Sequence, residues 1–163
     1  VSVARKLKRL LGVVANSVPF KPQMTTLAQV TEISRNDVSD YLYYMERAGM
    51  IMQLRTATQG IRELGKVEKV YLDNTNLMTI LAEKQPEMGN VRETFFLNQM
   101  RVNHVVKSSA ISDFEIDNKT FEVGGKHKGQ RQLLGAGQGY IVKDDIEYGY
   151  SNVIPLWAFG LNY

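Results

Sequence analysis

Three carboxylates and one lysine hold most of the potential chemistry in this sequence: Glu93, Asp113, Glu122 and Lys126. Asp117-Asn118, inside "AISDFEIDNKTFEVGGK", is a good two-residue turn pair, because both residue types tolerate positive φ. A hairpin turning there sets Asp113 directly against Glu122. Facing side chains on one ladder have Cβ atoms about 5 Å apart. Two carboxylates that close repel, and the cost is best tolerated where a cation or a proton sits between them. With Glu93 from the preceding helix, Asp113 and Glu122 are candidate metal residues, able to hold a magnesium ion through oxygens and waters. Lys126 lies four positions beyond Glu122 and shares its face if the strand stays regular, where it could orient water or stabilise developing charge. A glycine bulge at Gly124-Gly125 flips that parity. The plainer reading pairs Lys126, Lys128 or Arg101 with these carboxylates at a strand edge.

The elements that must position these residues follow from spacing. "GNVRETFFLNQMRVNHVV" reads as a helix with Val91, Phe95, Met100 and Val102 inward and Glu93 in its first turn. His104 closes that helix and His127 follows the basic loop. Two histidines with no cysteine make a poor zinc site, and both read as ordinary polar residues. "GAGQG" at 135–139 lacks the lysine and hydroxyl of a phosphate cradle and reads as a flexible loop. Trp157, in "NVIPLWAFGLNY", is expected in the core of a last strand.

The first half has a different grammar. Val3, Leu7, Leu10, Leu11, Val14 and Val18 recur at helical spacing, with Arg5, Lys6, Lys8 and Arg9 on the other side, and Pro19 and Pro22 end the helix. Thr25 or Thr26 can cap a short helix bearing Leu27, Ala28 and Val30. After a turn at Glu32-Ile33, Ser34 caps a second helix with Asp37 in capping-box position. Its inward stripe is Val38, Tyr41 or Leu42, and Met45, and Gly49 supplies a left-handed stop. Strands over Met50–Leu54 and Lys66–Leu72 follow, joined by a tip with Gly60, Arg62 and Gly65. A helix-turn-helix followed by a hairpin is a winged helix. On DNA, Arg35, Asn36, Ser39 and Tyr43 would face the major groove, and Arg55, Arg62 and Lys66 would sit on the wing. Asp37 and Asp40 on the same helix would repel phosphate, so a protein-docking or spacer role stands beside the DNA role.

Composition bounds the rest. The chain has 163 residues, 44% hydrophobic and 23% charged, with no cysteine. That excludes disulfides and thiolate metal sites and fits a reducing, cytoplasmic setting. No apolar run approaches the ~20 residues of a membrane helix. No leader is expected, because Arg5-Lys6 runs into more charge rather than an apolar core. Residues 1–82 carry a net +4 and residues 83–163 a net −1, a weak pointer to an anionic partner of the first half. Val1 in place of Met fits a piece of something longer.

Two resemblances sharpen these expectations. Glu93, Asp113 and Glu122 resemble the PD-(D/E)XK nuclease core: a helix Glu, a strand Asp, then Glu-X-Lys. The pattern departs at Gly124, where the lysine belongs. Over nearly the whole chain, "KVYLDN", "RETFF", "SDF", "FEVGGK" and "IPLWAFG" resemble the C-terminal region of bacterial and archaeal AAA ATPases, although Asp73-Asn-Thr-Asn-Leu77 replaces the usual Asp-x-Gly-Leu. The resemblance implies an α+β chain: a winged-helix domain over 1–82, then a PD-(D/E)XK-like mixed α/β domain over 83–163. It implies a non-catalytic, nucleic-acid-associated module. ATP and magnesium belong to an upstream ATPase domain, and no cofactor to this segment. DNA, the upstream domain and further copies of the chain are the partners these readings name, and no membrane is among them. A metal-dependent nuclease and a docking or oligomerisation module are the alternatives.

Overall fold

In the computed structural model, residues 2–57, 66–129, 133 and 137–162 are described. Gly60, Arg62 and Gly65 of the expected wing tip, and Gly135-Ala136 of "GAGQG", lie outside them. The chain is α+β in class and divides into two compact units. One comprises residues 1–54 and 67–86, the other 55–66 and 87–163.

The first unit opens with helix α1 (Val3–Ala15), whose Leu10 and Val14, one turn apart, are buried while Arg5, Lys8 and Arg9 are exposed. Helix α2 (Met24–Thr31) starts two or three residues ahead of expectation. Gln23 is its N-cap residue, so Thr25 and Thr26 lie inside the first turn rather than capping it. Leu27 is buried and Val30 exposed, because eight residues turn only one narrow face to the core. Glu32 then takes a left-handed conformation (φ 54°) and ends the helix. Ser34 caps helix α3 (Arg35–Arg47) by accepting the Asp37 N–H at 3.1 Å. Val38, Tyr41, Leu42 and Met45 form its buried stripe. Gly49 turns the chain at φ +68° into strand β1 (Ile51–Arg55), which forms a two-stranded sheet with β2 (Val67–Leu72). Helix α4 (Thr75–Leu81) completes the unit, capped by Asn74, whose Oδ1 accepts the Leu77 N–H at 3.1 Å.

The second unit sets helix α5 (Met88–Met100) against a five-stranded sheet of order β3-β4-β5-β6-β7. The strands are β3 (Lys107–Ser108), β4 (Phe114–Ile116), β5 (Lys119–Gly124), β6 (Gly139–Lys143) and β7 (Val153–Pro155). β3, β4 and β5 pair antiparallel, while β6 and β7 join parallel to β5. Asp117 and Asn118 both have positive φ, 50° and 62°, as a tight primed turn requires. Phe96 of α5 packs on Phe114 and Phe121, with ring centroids 5.2 and 5.4 Å apart.

Three expectations for this half are corrected. The inward face of α5 is Thr94, Phe96, Leu97 and Met100. Val102 lies beyond the helix end and is 63% exposed. Glu93 stands in the second turn, because the helix begins at Met88 rather than at Gly89 or later. Trp157 is 57% exposed: Pro155 ends β7, the chain coils into a 3-10 helix (Leu156–Leu161), and Leu156 takes the buried position instead. Among the described residues, no helix is long and apolar enough to cross a membrane.

Candidate functional site

β5 is the central strand of the second sheet, and residues 120–124 are all buried. Side chains on a strand alternate faces, so Glu122 and Gly124 share one face, and Phe121 and Val123 the other. The hairpin register pairs Phe114 with Phe121. The pairing ends there: Asp113, expected opposite Glu122, lies just before β4 and outside the paired residues.

Glu122 is 1% exposed and its two oxygens have different partners. Oε2 accepts a short hydrogen bond from Ser112 Oγ. That hydroxyl also lies 3.0 Å from Phe121 O, and its single proton serves either acceptor. Oε1 is ion-paired with Lys128 Nζ at contact distance. Asp113 Oδ2 accepts the Val123 N–H at 2.9 Å. A buried charge is stable only when paired and hydrogen-bonded, and Glu122 has both kinds of partner.

The lysine at the site is Lys128. Lys126, the sequence candidate, is exposed, and its carbonyl oxygen accepts from Lys143 Nζ at 3.2 Å. The reason is a tight turn: the Lys128 N–H returns to Gly125 O at 2.9 Å, carrying residue 128 back over the strand. There its stem lies on Gly124. A Cβ at 124 would fall 2.7 Å from Lys128 Cδ and Cγ, and 2.8 Å from its Cβ. The Lys128 stem therefore occupies the space of the missing residue-124 side chain. Burial lowers the Lys128 pKa. The hydrogen bond and charge of Glu122, with the charges of Asp113 and Glu93, more than offset this and hold it above the usual lysine value. Among the described residues, Glu122 is the acidic side chain in direct contact with Lys128, and no three His, Cys, Asp or Glu side chains are grouped so that they could hold a metal ion.

Neighbouring groups hold the turn in place. Arg92 of α5 binds Asp144 Oδ2 at 2.9 Å, and a Cβ on Gly125 would come 3.3 Å from Arg92 Nη1. The Asp144 N–H donates to Gly124 O at 2.9 Å. The two histidines stand apart from the Glu122–Lys128 pair: His104 Nδ1 lies 3.4 Å from Asp117, and His127 is exposed.

The second candidate surface is on α3. Arg35, Asn36, Ser39 and Tyr43 are all exposed, with Tyr44 and Arg47 beside them. Asp37, which would repel phosphate, has Lys6 of α1 3.6 Å away, and Glu32 is bound by Arg9 at 2.9 Å. Asp40 is exposed on the same helix. Arg55 ends β1, and both it and Lys66 belong to the second unit, so of the expected contact elements the first unit presents α3 alone.

A family model, Domain of unknown function (DUF8612), matches residues 1–88. That is just over half of the chain, and it takes in the whole first unit. The chain belongs to this family. No curated protein and no solved structure matches it. For DUF8612 the match thus covers α1 through α4, and the Glu122–Lys128 pair lies outside it.

Proposed function

We propose that this chain is a nucleic-acid-associated accessory module without chemistry of its own. Its first unit is a winged helix and its second a degenerate PD-(D/E)XK-like fold. It works as the C-terminal part of an AAA ATPase, whose upstream domain supplies the ATP and magnesium chemistry. The sequence resemblance supports that placement. The α2–α3 pair joined by a left-handed turn, then a two-stranded sheet, supports the winged-helix reading. Support for nucleic acid comes from α3, where Arg35, Asn36, Ser39 and Tyr43 stand exposed while Lys6 offsets Asp37.

The observation that carries the non-catalytic reading is the state of Glu122. A metal carboxylate must offer an oxygen to the ion and lie open to substrate. Glu122 is buried, with one oxygen on Lys128 and the other on Ser112. The residues therefore do not fit a divalent ion as they stand. A second reading, an active nuclease, is favoured by one feature: Lys128 reaches Glu122 across Gly124, where the motif's lysine would stand.

Two assays decide. Duplex DNA binding by fluorescence anisotropy should weaken steeply with salt, because neutralised phosphates release counterions. Arg35→Ala should weaken it further. Binding that ignores both would favour a docking module. Incubation with single- and double-stranded DNA plus manganese should give no cleavage. Cleavage that disappears in Glu122→Ala would establish the nuclease instead.

A further inference from the structure

We infer that α1 is a second contact element for nucleic acid, its exposed face taking the phosphate backbone of a strand that passes the start of α3. The inference rests on the nucleic-acid reading of α3 above and names where the ligand's charge is met. α3 is itself a poor phosphate surface: Asn36, Ser39, Asp40 and Tyr43 are exposed along it, groups suited to base edges and rings, with one carboxylate among them. α1 supplies what α3 lacks. Arg5, Lys8 and Arg9 are exposed on the side turned away from the buried Leu10 and Val14. Two ion pairs tie α1 to the α2–α3 turn. Lys6 lies 3.6 Å from Asp37, and Arg9 binds Glu32 at 2.9 Å. The acids at that turn are thus each matched by a cation, while Arg5 and Lys8 enter no ion pair among the described residues. Arg5 and Arg9 stand about 6 Å apart along the helix axis, the span of about two phosphates on one strand.

A run of basic residues is by itself often a solvated face. Gly12 sets this face apart. It lies inside α1, exposed, one turn beyond Lys8 and Arg9 on the same side. Glycine is the poorest helix former after proline, and packing does not require one here: a Cβ at position 12 would meet nothing within 4 Å. The backbone is ordinary α-helix, which every residue but proline adopts more readily than glycine. A missing side chain is useful where a ligand must approach the backbone closely. A phosphate strand following Arg5 and Lys8 passes over Gly12. A lipid surface fits this face less well, because a helix lying on a membrane inserts its apolar side, and in α1 that side is buried at Leu10 and Val14.

The test uses the whole chain and a short fluorescein-labelled duplex of mixed sequence. Anisotropy titrations at several salt concentrations are set beside melting temperatures. Arg5→Ala and Lys8→Ala should each lower affinity and reduce the salt slope by about 1, and the double variant by about 2. Their melting temperatures should match wild type, because alanine suits an exposed helix position. Lys119→Ala, which removes an exposed lysine of the second unit, should leave affinity and slope unchanged. Gly12→Gln should raise the melting temperature by about 2 °C while lowering affinity several-fold at an unchanged slope, since it blocks approach without removing charge. A glycine with no ligand to admit would give the gain in stability and no loss of binding, and that result would overturn the proposal. So would double-variant titrations that match wild type, or a Lys119→Ala effect as large as theirs, which would make net charge the cause. If Arg35→Ala weakens a salt-dependent binding that the α1 variants leave alone, the α3 reading stands and this one falls. If wild type binds no duplex, both fall. Phosphatidylserine vesicles provide the last arm: vesicle binding lost in Arg5→Ala, with duplex binding intact, would assign the face to a membrane instead.

Discussion

Glu122 shows how much one residue can demand of its surroundings. Removing one member of a buried pair leaves an uncompensated charge, which costs about 3–5 kcal/mol when both groups are dry. Lys128 is a third exposed, so water replaces part of what it supplies, and we expect Lys128→Met to cost about 1–3 kcal/mol. Urea unfolding at neutral pH measures it. The pH dependence follows from the raised Lys128 pKa. A base held more tightly in the folded state contributes its full stability below the unfolded lysine value, near 10.4, and loses it as pH climbs through the folded value. The gap between wild type and Lys128→Met should therefore be constant from neutral pH to about 10 and shrink above it. A gap that widens there would contradict the sign. Ser112→Ala, which removes one hydrogen bond to a charged acceptor, should cost about 1.5–3 kcal/mol in the same assay.

At the scale of elements, the two turns of the first unit make opposite predictions. Ser34 caps α3 through the Asp37 N–H, so Ser34→Ala should lose about 1 kcal/mol. Glu32 occupies a left-handed position where glycine is the usual residue. Its ion pair with Arg9 is exposed and contributes little. Glu32→Gly should therefore be neutral or stabilising by up to about 1 kcal/mol, and differential scanning calorimetry would show both signs. These elements were legible because their signals are local. Ser34 with Asp37, Gly49, and the Asp117-Asn118 pair each specify backbone geometry within four residues. The same kind of signal marks α4, where Asn74 sits three residues before Leu77. Its seven residues are too few for apolar periodicity alone to mark a helix.

Across the whole molecule, charge is apportioned unevenly. Residues 1–82 are net positive and residues 83–163 slightly negative, so the proposed nucleic-acid role is argued for the first half. Arg35→Ala should lower DNA affinity nearly uniformly across sequences and reduce the salt slope by about 1 if Arg35 meets phosphate. If it reads a base instead, the slope should hold while preference for one sequence falls. Tyr43→Ala should lower affinity with no change of slope, because a tyrosine carries no charge to exchange for a counterion. Anisotropy titrations at several salt concentrations separate these outcomes.

What the sequence by itself determined was local and periodic. It placed the Leu10–Val14 face of α1, the stripe and cap of α3, and the hairpin turn at Asp117-Asn118. In each, a few neighbouring residues dictate φ, ψ and side-chain direction. Tertiary structure alone decided which lysine serves Glu122. Counting along the strand names position 124 or 126, but those counts assume an extended chain. The Gly125–Lys128 turn breaks that assumption, and Gly124 vacates the space the returning stem needs. The apolar neighbours of Glu122 point to a buried strand, but the parallel partner that covers it, β6, lies 15 or more residues downstream and carries no local signal. Trp157 and Val102 failed for a related reason. Their apolar character points inward, but β7 ends at Pro155 and α5 at Met100, and both side chains face solvent.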